Sequence, residues 1–172
     1  KPDSKGEWAK WVGSTDEQQA QWIVRSFLLF SAMSVEKGFV YFFNDKDEPK
    51  LHAASGLTRN YEPKPAYHAV AWMLKSLADY RFSKVITQSL DDGYVYEFAP
   101  DKAGEPIIWA AWHPTATKHE ITLPSSGMKV IKAERMPLKK GEVEPLSVSQ
   151  ESSIQLSLGE RPVLIWMTPA TK

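Results

Sequence analysis

Residues 38–72, GFVYFFNDKDEPKLHAASGLTRNYEPKPAYHAVAW, read as a strand, a long polar loop and an amphipathic helix in succession, which is a βα unit. Phe39 to Phe43 is apolar without alternation, the pattern of a strand covered on both faces in a parallel sheet. Such a strand needs neighbours on both sides, yet the remaining sequence offers no second βαβ pattern. The expectation is that its partners lie outside this sequence, and that the chain is the carboxyl-terminal piece of something larger. Lys1, with neither an initiator Met nor a signal peptide, fits processing or excision.

The flanking sequence divides near residue 81. Upstream, Ser14-Thr15-Asp16-Glu17 has the S-x-x-E form of a capping box, with Ser14 as cap and Glu17 reaching back. A helix is expected from there to about Ser34, its apolar residues Trp22, Ile23, Phe27, Leu28, Phe30 and Met33 covering more than one stripe. A second helix opens at Lys64-Pro65, because proline tolerates the first helical turn. Ala66, Ala69, Val70, Met73, Leu74 and Leu77 mark its buried face, and Asp79 to Arg81 end it. Downstream the signals are all-β. Runs 84–87, 93–98, 106–112, 119–123, 128–133, 153–158 and 162–167 are rich in Val, Ile, Tyr and Trp, and turn formers such as Asp91-Asp92-Gly93 and Lys140-Gly141 separate them. Seven or eight strands at this spacing indicate an antiparallel sandwich.

Composition narrows the partners. Lys+Arg and Asp+Glu both number 21, so the formal charge is zero and no basic stripe exists, which argues against nucleic acid and anionic membrane. Cysteine is absent, which removes disulfides, thiol catalysis and cysteine zinc sites while leaving the compartment open. No apolar run approaches the roughly 20 residues of a membrane span. An aromatic content of 12% is high and suits ligands with flat apolar faces.

The order of a helix, FVYFFND, GLTRNYEPKPAYHAV and a small β domain ending in RPVLIWM resembles the end of a clan A glycoside hydrolase of the β-xylosidase and endoglycosidase type. The likeness runs from about Trp8 to Met167. It is carried best by Gly56-Leu57 with Lys64-Pro65-Ala66-Tyr67, and the family's Asp-Gly hairpin is not evident around Glu134-Arg135-Met136. The resemblance implies an α/β part, residues 1–80, holding the seventh helix, eighth strand and eighth helix of a (β/α)8 TIM barrel. An antiparallel β-sandwich accessory domain, residues 81–172, would follow. It also implies hydrolysis of a polysaccharide or oligosaccharide with retention, by an acid/base and a nucleophile roughly 5 Å apart. Both glutamates of that family would precede Lys1, so no catalytic residue is assigned. Glu17 is explained by capping, and Glu7 lies in a polar loop with no strand before it. No cofactor is implied. The expected partners are a carbohydrate substrate and the remaining barrel portion, with an extracellular or periplasmic bacterial location.

If the resemblance holds, the ligand-facing positions are those at the carboxyl end of the strand and in neighbouring loops. They are Phe43, Asn44 and Asp45 with Trp8 and Trp11. Aromatic rings stack on sugar C–H faces, and Asn and Asp hold hydroxyls. Each has an ordinary alternative: Asn44-Asp45 as a strand-end turn, and one of Trp8 and Trp11 as the apolar staple before the first helix. His52, His68, His113 and His119 lack metal-ligand spacing, and Asp45, Asp47 and Glu48 read as a solvated acidic turn rather than a calcium loop. Trp109 and Trp112 point to opposite faces of one strand. One belongs to the core; the other is either an exposed sugar platform or a cover for the junction between the two parts. The competing class is a non-catalytic β module binding carbohydrate or protein, and it gains if Phe39 to Phe43 pair inside the sandwich.

Overall fold

The computed structural model describes residues 13–46, 54–115, 118–125, 127–150 and 153–170. Helix α1 (Asp16–Ala32) starts at Thr15, whose hydroxyl accepts the Gln18 N–H at 3.1 Å while the Gln18 side chain takes the Thr15 N–H at 2.9 Å. The capping box is therefore one residue later than Ser14 and Glu17 suggested. Both tetrapeptides satisfy the pattern, and burial decides: starting at Asp16 aligns Ala20, Val24 and Leu28 on the stripe that packs inward. Helix α2 (Pro65–Leu77) opens as expected, with Pro65 after the cap residue Lys64. It stops at Ala78 because Tyr80 already belongs to a strand. Its buried face is Ala66, Ala69, Val70, Trp72 and Met73, whereas Leu74, expected inside, is exposed.

Three two-residue strands, β1 (Asn44–Asp45), β2 (Thr58–Arg59) and β3 (Glu62–Pro63), form a small sheet between the helices, β1 parallel to β2 and β2 antiparallel to β3. The strand expected at Phe39 to Phe43 is not formed. Phe39 is 87%, Tyr41 67% and Phe43 60% exposed, and regular pairing begins only at Asn44. The physical reason is the lack of neighbours: among the described residues no strand runs beside 39–42, and only the Phe43 carbonyl reaches β2, accepting the Thr58 N–H at 2.9 Å. A (β/α)8 cylinder is accordingly not seen in this chain.

The rest is β4 (Tyr80–Ser89), β5 (Gly93–Pro100), β6 (Ile107–Trp112), β7 (His119–Pro124), β8 (Met128–Arg135), β9 (Glu144–Pro145), β10 (Ser149–Gln150), β11 (Ser153–Leu158) and β12 (Val163–Pro169). They make an antiparallel sheet ordered β4-β5-β6-β12-β8-β9 and a smaller one ordered β10-β11-β7. At the β4–β5 hairpin Gly93 has φ 87°, and a Cβ there would lie 2.9 Å from the Trp112 carbonyl oxygen, so the turn requires glycine.

Period-two alternation along the large sheet feeds two cores. Tyr96, Phe98, Ile108, Ala110, Trp112, Leu164 and Trp166 pack with both helices. Val95, Trp109, Ala111, Val163, Ile165 and Met167 pack against Ile121, Leu123, Ile154, Leu156 and Leu158 of the small sheet. Trp109 and Trp112 do point to opposite faces, and both are buried, so neither is an exposed platform. Trp112, stacked on Tyr94 at 5.2 Å, covers the junction with the helices.

A polar latch reinforces that junction. Arg25 on α1 donates to Glu160, in the turn before β12, at 3.2 Å and to the Pro114 carbonyl at 3.4 Å, with only 11% of its side chain exposed. Burial draws the guanidinium below its ordinary pKa, against the opposing pull of Glu160. Arg25→Met leaves Glu160 without its cation and is expected to cost about 1–3 kcal/mol in urea unfolding, most of it recovered in the double variant R25M/E160Q. An additive double variant would show that the two groups do not act on each other.

Candidate functional site

The sequence-predicted residues that the structure describes sit where the small sheet meets the starts of both helices. Asp45 is 1% exposed. Its Oδ2 accepts from Lys64 Nζ at 2.8 Å, and its Oδ1 lies 3.6 Å from Arg59 Nε. Lys64 also donates to the Gly56 carbonyl at 2.9 Å and stands 3.7 Å from Asp16 Oδ1. Arg59 grips Asp16 with two bonds, 3.0 and 2.9 Å, in the fork geometry that only arginine offers a carboxylate. Two carboxylates and two cations thus join the first turn of α1, β1, β2 and the cap of α2.

The loop sequence follows from this cluster. Gly56 passes so close to β1 that a Cβ would fall 2.7 Å from the Asp45 N and 2.9 Å from the Phe43 O, backbone atoms that cannot yield. Ala66 is fully buried in the first turn of α2. Asn44 is equally committed: its Oδ1 accepts the Thr58 hydroxyl at 2.9 Å and the Tyr61 N–H at 2.7 Å. Between β2 and β3, Asn60 (φ 49°) and Tyr61 (φ 64°) form a two-residue turn with both φ positive, the primed type that suits a right-twisted hairpin. Asparagine accepts this readily; tyrosine does so under strain.

The five predicted contacts therefore separate. The Phe43 side chain is exposed, while its backbone carbonyl accepts from Thr58. Asn44 Oδ1 and Asp45 Oδ2 are committed to holding the loop, and the Asp45 carboxylate is buried, so it is not open to a ligand. Trp8 and Trp11 lie outside the described residues. Residues that sequence reasoning missed are Asp16, Arg59 and Lys64, which order the loop, and Tyr61, 81% exposed beside Asn44. Lys64 did carry a signal. A cation at a helix N-terminus opposes the helix dipole, so its presence there implies a buried anion close by.

His52, Asp47 and Glu48 lie outside the described residues. His113 and His119 stack at 4.7 Å beside Thr115, and His68 lies on α2 against Tyr67. Among the described residues no group of three or more His, Asp or Glu could hold a metal ion, and no helix is long and apolar enough to cross a membrane.

By sequence, no protein-family model and no curated protein matches the chain. By fold, it is similar to glycoside hydrolases. A family 39 glycoside hydrolase from Bacteroides cellulosilyticus WH2 superposes with a TM-score of 0.70 at 21% identity, over 90% of this chain and 31% of its own. A family 30 subfamily 8 xylanase from Clostridium acetobutylicum does so with a TM-score of 0.56 at 10% identity, over 92% of this chain and 41% of its own. The likeness is one of fold, and the chain spans about a third of the first enzyme's length.

Replacing Lys64 by Met strands Asp45 in a buried site and is expected to cost about 3–5 kcal/mol in chemical unfolding. Adding Asp45→Asn removes the stranded charge and recovers part of the loss; no recovery would assign Lys64 a packing role alone. Tyr61→Gly relieves the left-handed strain and is expected to raise stability by about 1 kcal/mol, measured in the same way.

Proposed function

We propose that the chain is the carboxyl-terminal segment of a glycoside hydrolase. Its helices and residues 38–45 close a βα barrel, and its β-sandwich packs on that barrel as a rigid accessory. The observation that carries this reading is the apolar band around residues 39–43. Phe39 and Tyr41 stand exposed beside Trp22 and Phe30 of α1, and a groove of about 300 Å³ lined by Trp22, Phe27, Phe30, Phe39 and Tyr41 runs between segment and helix. Contiguous aromatic surface of this kind marks an interface rather than a solvent face. The segment ends in a parallel pairing and joins neither sheet of the sandwich, the pairing that would favour a non-catalytic β module. The fold likeness to a family 39 and a family 30 glycoside hydrolase points the same way.

On this reading hydrolysis is retaining, and the acid/base and nucleophile are glutamates supplied by barrel strands outside this sequence. Phe43, Asn44, Asp45 and Tyr61 then fall at the carboxyl end of the last strand, the face where a barrel binds its ligand. Phe43 and Tyr61 present rings to sugar C–H faces, while Asn44 and Asp45 hold the loop that carries them. The substrate is a polysaccharide or oligosaccharide, the physical partner is the rest of the barrel, and an exported location suits such a substrate.

Aryl glycosides discriminate. The chain alone is expected to release no phenol, and joining it to its upstream barrel portion is expected to produce turnover. Turnover by the isolated chain, or none from the assembled protein over a panel of glycosides, would overturn the proposal.

A further inference from the structure

Between α2 and β8 with the connection that follows it lies an open cleft of about 800 Å³, large enough for roughly two or three sugar rings and lined wholly by described residues. The α2 wall is one stripe, Tyr67, Ala71 and Lys75, four residues apart and therefore on a single face. Ala71, the smallest of them, leaves the middle of the wall open. Trp72 and Trp166 form a mostly buried floor. Tyr67 rises from it as a partly exposed ring, braced edge-on by His68 at 5.6 Å.

The charge of this cleft departs from that of the chain. Lys75, Lys132, Lys139 and Lys140 line it against the single carboxylate of Glu134, in a protein whose formal charge is zero. Glu134 is already neutralised and fixed, accepting from Trp72 Nε1 at 3.3 Å and from Lys132 Nζ at 2.8 Å. Lys132, opposite Trp166 in the β8–β12 pairing, holds its ammonium 3.9 Å over that indole. Lys139 has only an exposed pairing with Glu142 at 3.4 Å, and neither Lys75 nor Lys140 is ion-paired with any described residue. Cationic side chains therefore face a concave space whose one anion is spent, around a ring that offers an apolar face.

We infer that this cleft binds an acidic oligosaccharide, a chain of uronic acid residues whose carboxylates meet the lysines and whose C–H face lies on Tyr67. The choice of a sugar as the ring-bearing anion rests on the glycoside hydrolase reading. These lysines gather in one concave cleft of a protein whose formal charge is zero, which disfavours nucleic acid, since that requires a continuous basic surface along its backbone.

The test is calorimetric titration of the intact chain with trigalacturonate and with its fully methyl-esterified form. The free acid is expected to bind, more weakly as salt is raised, and the ester, identical but uncharged, is expected not to. Lys75→Met and Lys140→Met, both exposed and without structural partners, are each expected to weaken binding about tenfold, the scale of one charge-assisted contact. Tyr67→Ala should weaken acid binding while leaving the salt dependence intact. Absence of binding, equal affinity for the ester, or lysine variants indistinguishable from the parent chain would overturn the inference. The readout does not depend on hydrolysis. An assembled protein active on glycosides whose chain ignores trigalacturonate would sink the cleft alone, whereas a chain that binds it in a protein without glycosidase activity would sink the enzymatic reading alone.

Discussion

A buried ammonium against a buried carboxylate, Lys64 on Asp45, is the constraint around which the helical part is arranged. Against an apolar alternative such a pair adds little net stability, because both ions surrender their water. What it supplies here is geometry. Lys64 precedes the first turn of α2 and Asp45 ends β1, so satisfying the pair fixes where the helix begins relative to the strand. The Gly56 carbonyl, also bonded to Lys64, draws the loop against β1 until no side chain fits. Asp16 and Arg59 extend the same network to α1.

With the loop held from beneath by charges, the side chains left outward are aromatic. Phe43 and Tyr61 project from backbone whose positions Thr58 and Asn44 secure. This division of labour explains why Asn44 and Asp45 serve here as fasteners, while the exposed surface beside them is aromatic. It also accounts for the tolerated strain at Tyr61. Its N–H is captured by Asn44, so the turn is over-determined and the costly dihedral persists.

The β-rich part was legible almost strand by strand, because alternation with Val, Ile and Trp between turn residues is a strong local signal. The runs at 153–158 and 119–123 match β11 and β7 to within a residue. The short strands β1, β2, β3, β9 and β10 were not, since two residues carry no period. Phe39 to Phe43 was read correctly as apolar and wrongly as a formed strand. Composition records what a segment needs, and pairing depends on neighbours that composition cannot supply. The cap of α1 was misplaced by one residue because Ser14-x-x-Glu17 and Thr15-x-x-Gln18 are equivalent on paper, and only the packing of Ala20, Val24 and Leu28 separates them. Of the candidate site, the sequence singles out Asn44 and Asp45 by their place at a strand end but does not show the bonds they make, because their partners Lys64 and Arg59 lie well along the chain and in no motif that names an ion pair.

Strand β6 serves two masters: Ile108, Ala110 and Trp112 belong to the helical side, Trp109 and Ala111 to the other. Insertion or deletion of one residue there would exchange the two sets wholesale, sending each tryptophan into a cavity shaped for its opposite number. Such a strand is locked in phase. With both faces buried, each position from 108 to 112 tolerates only like-for-like replacement, and a change of length is tolerated only in the connections.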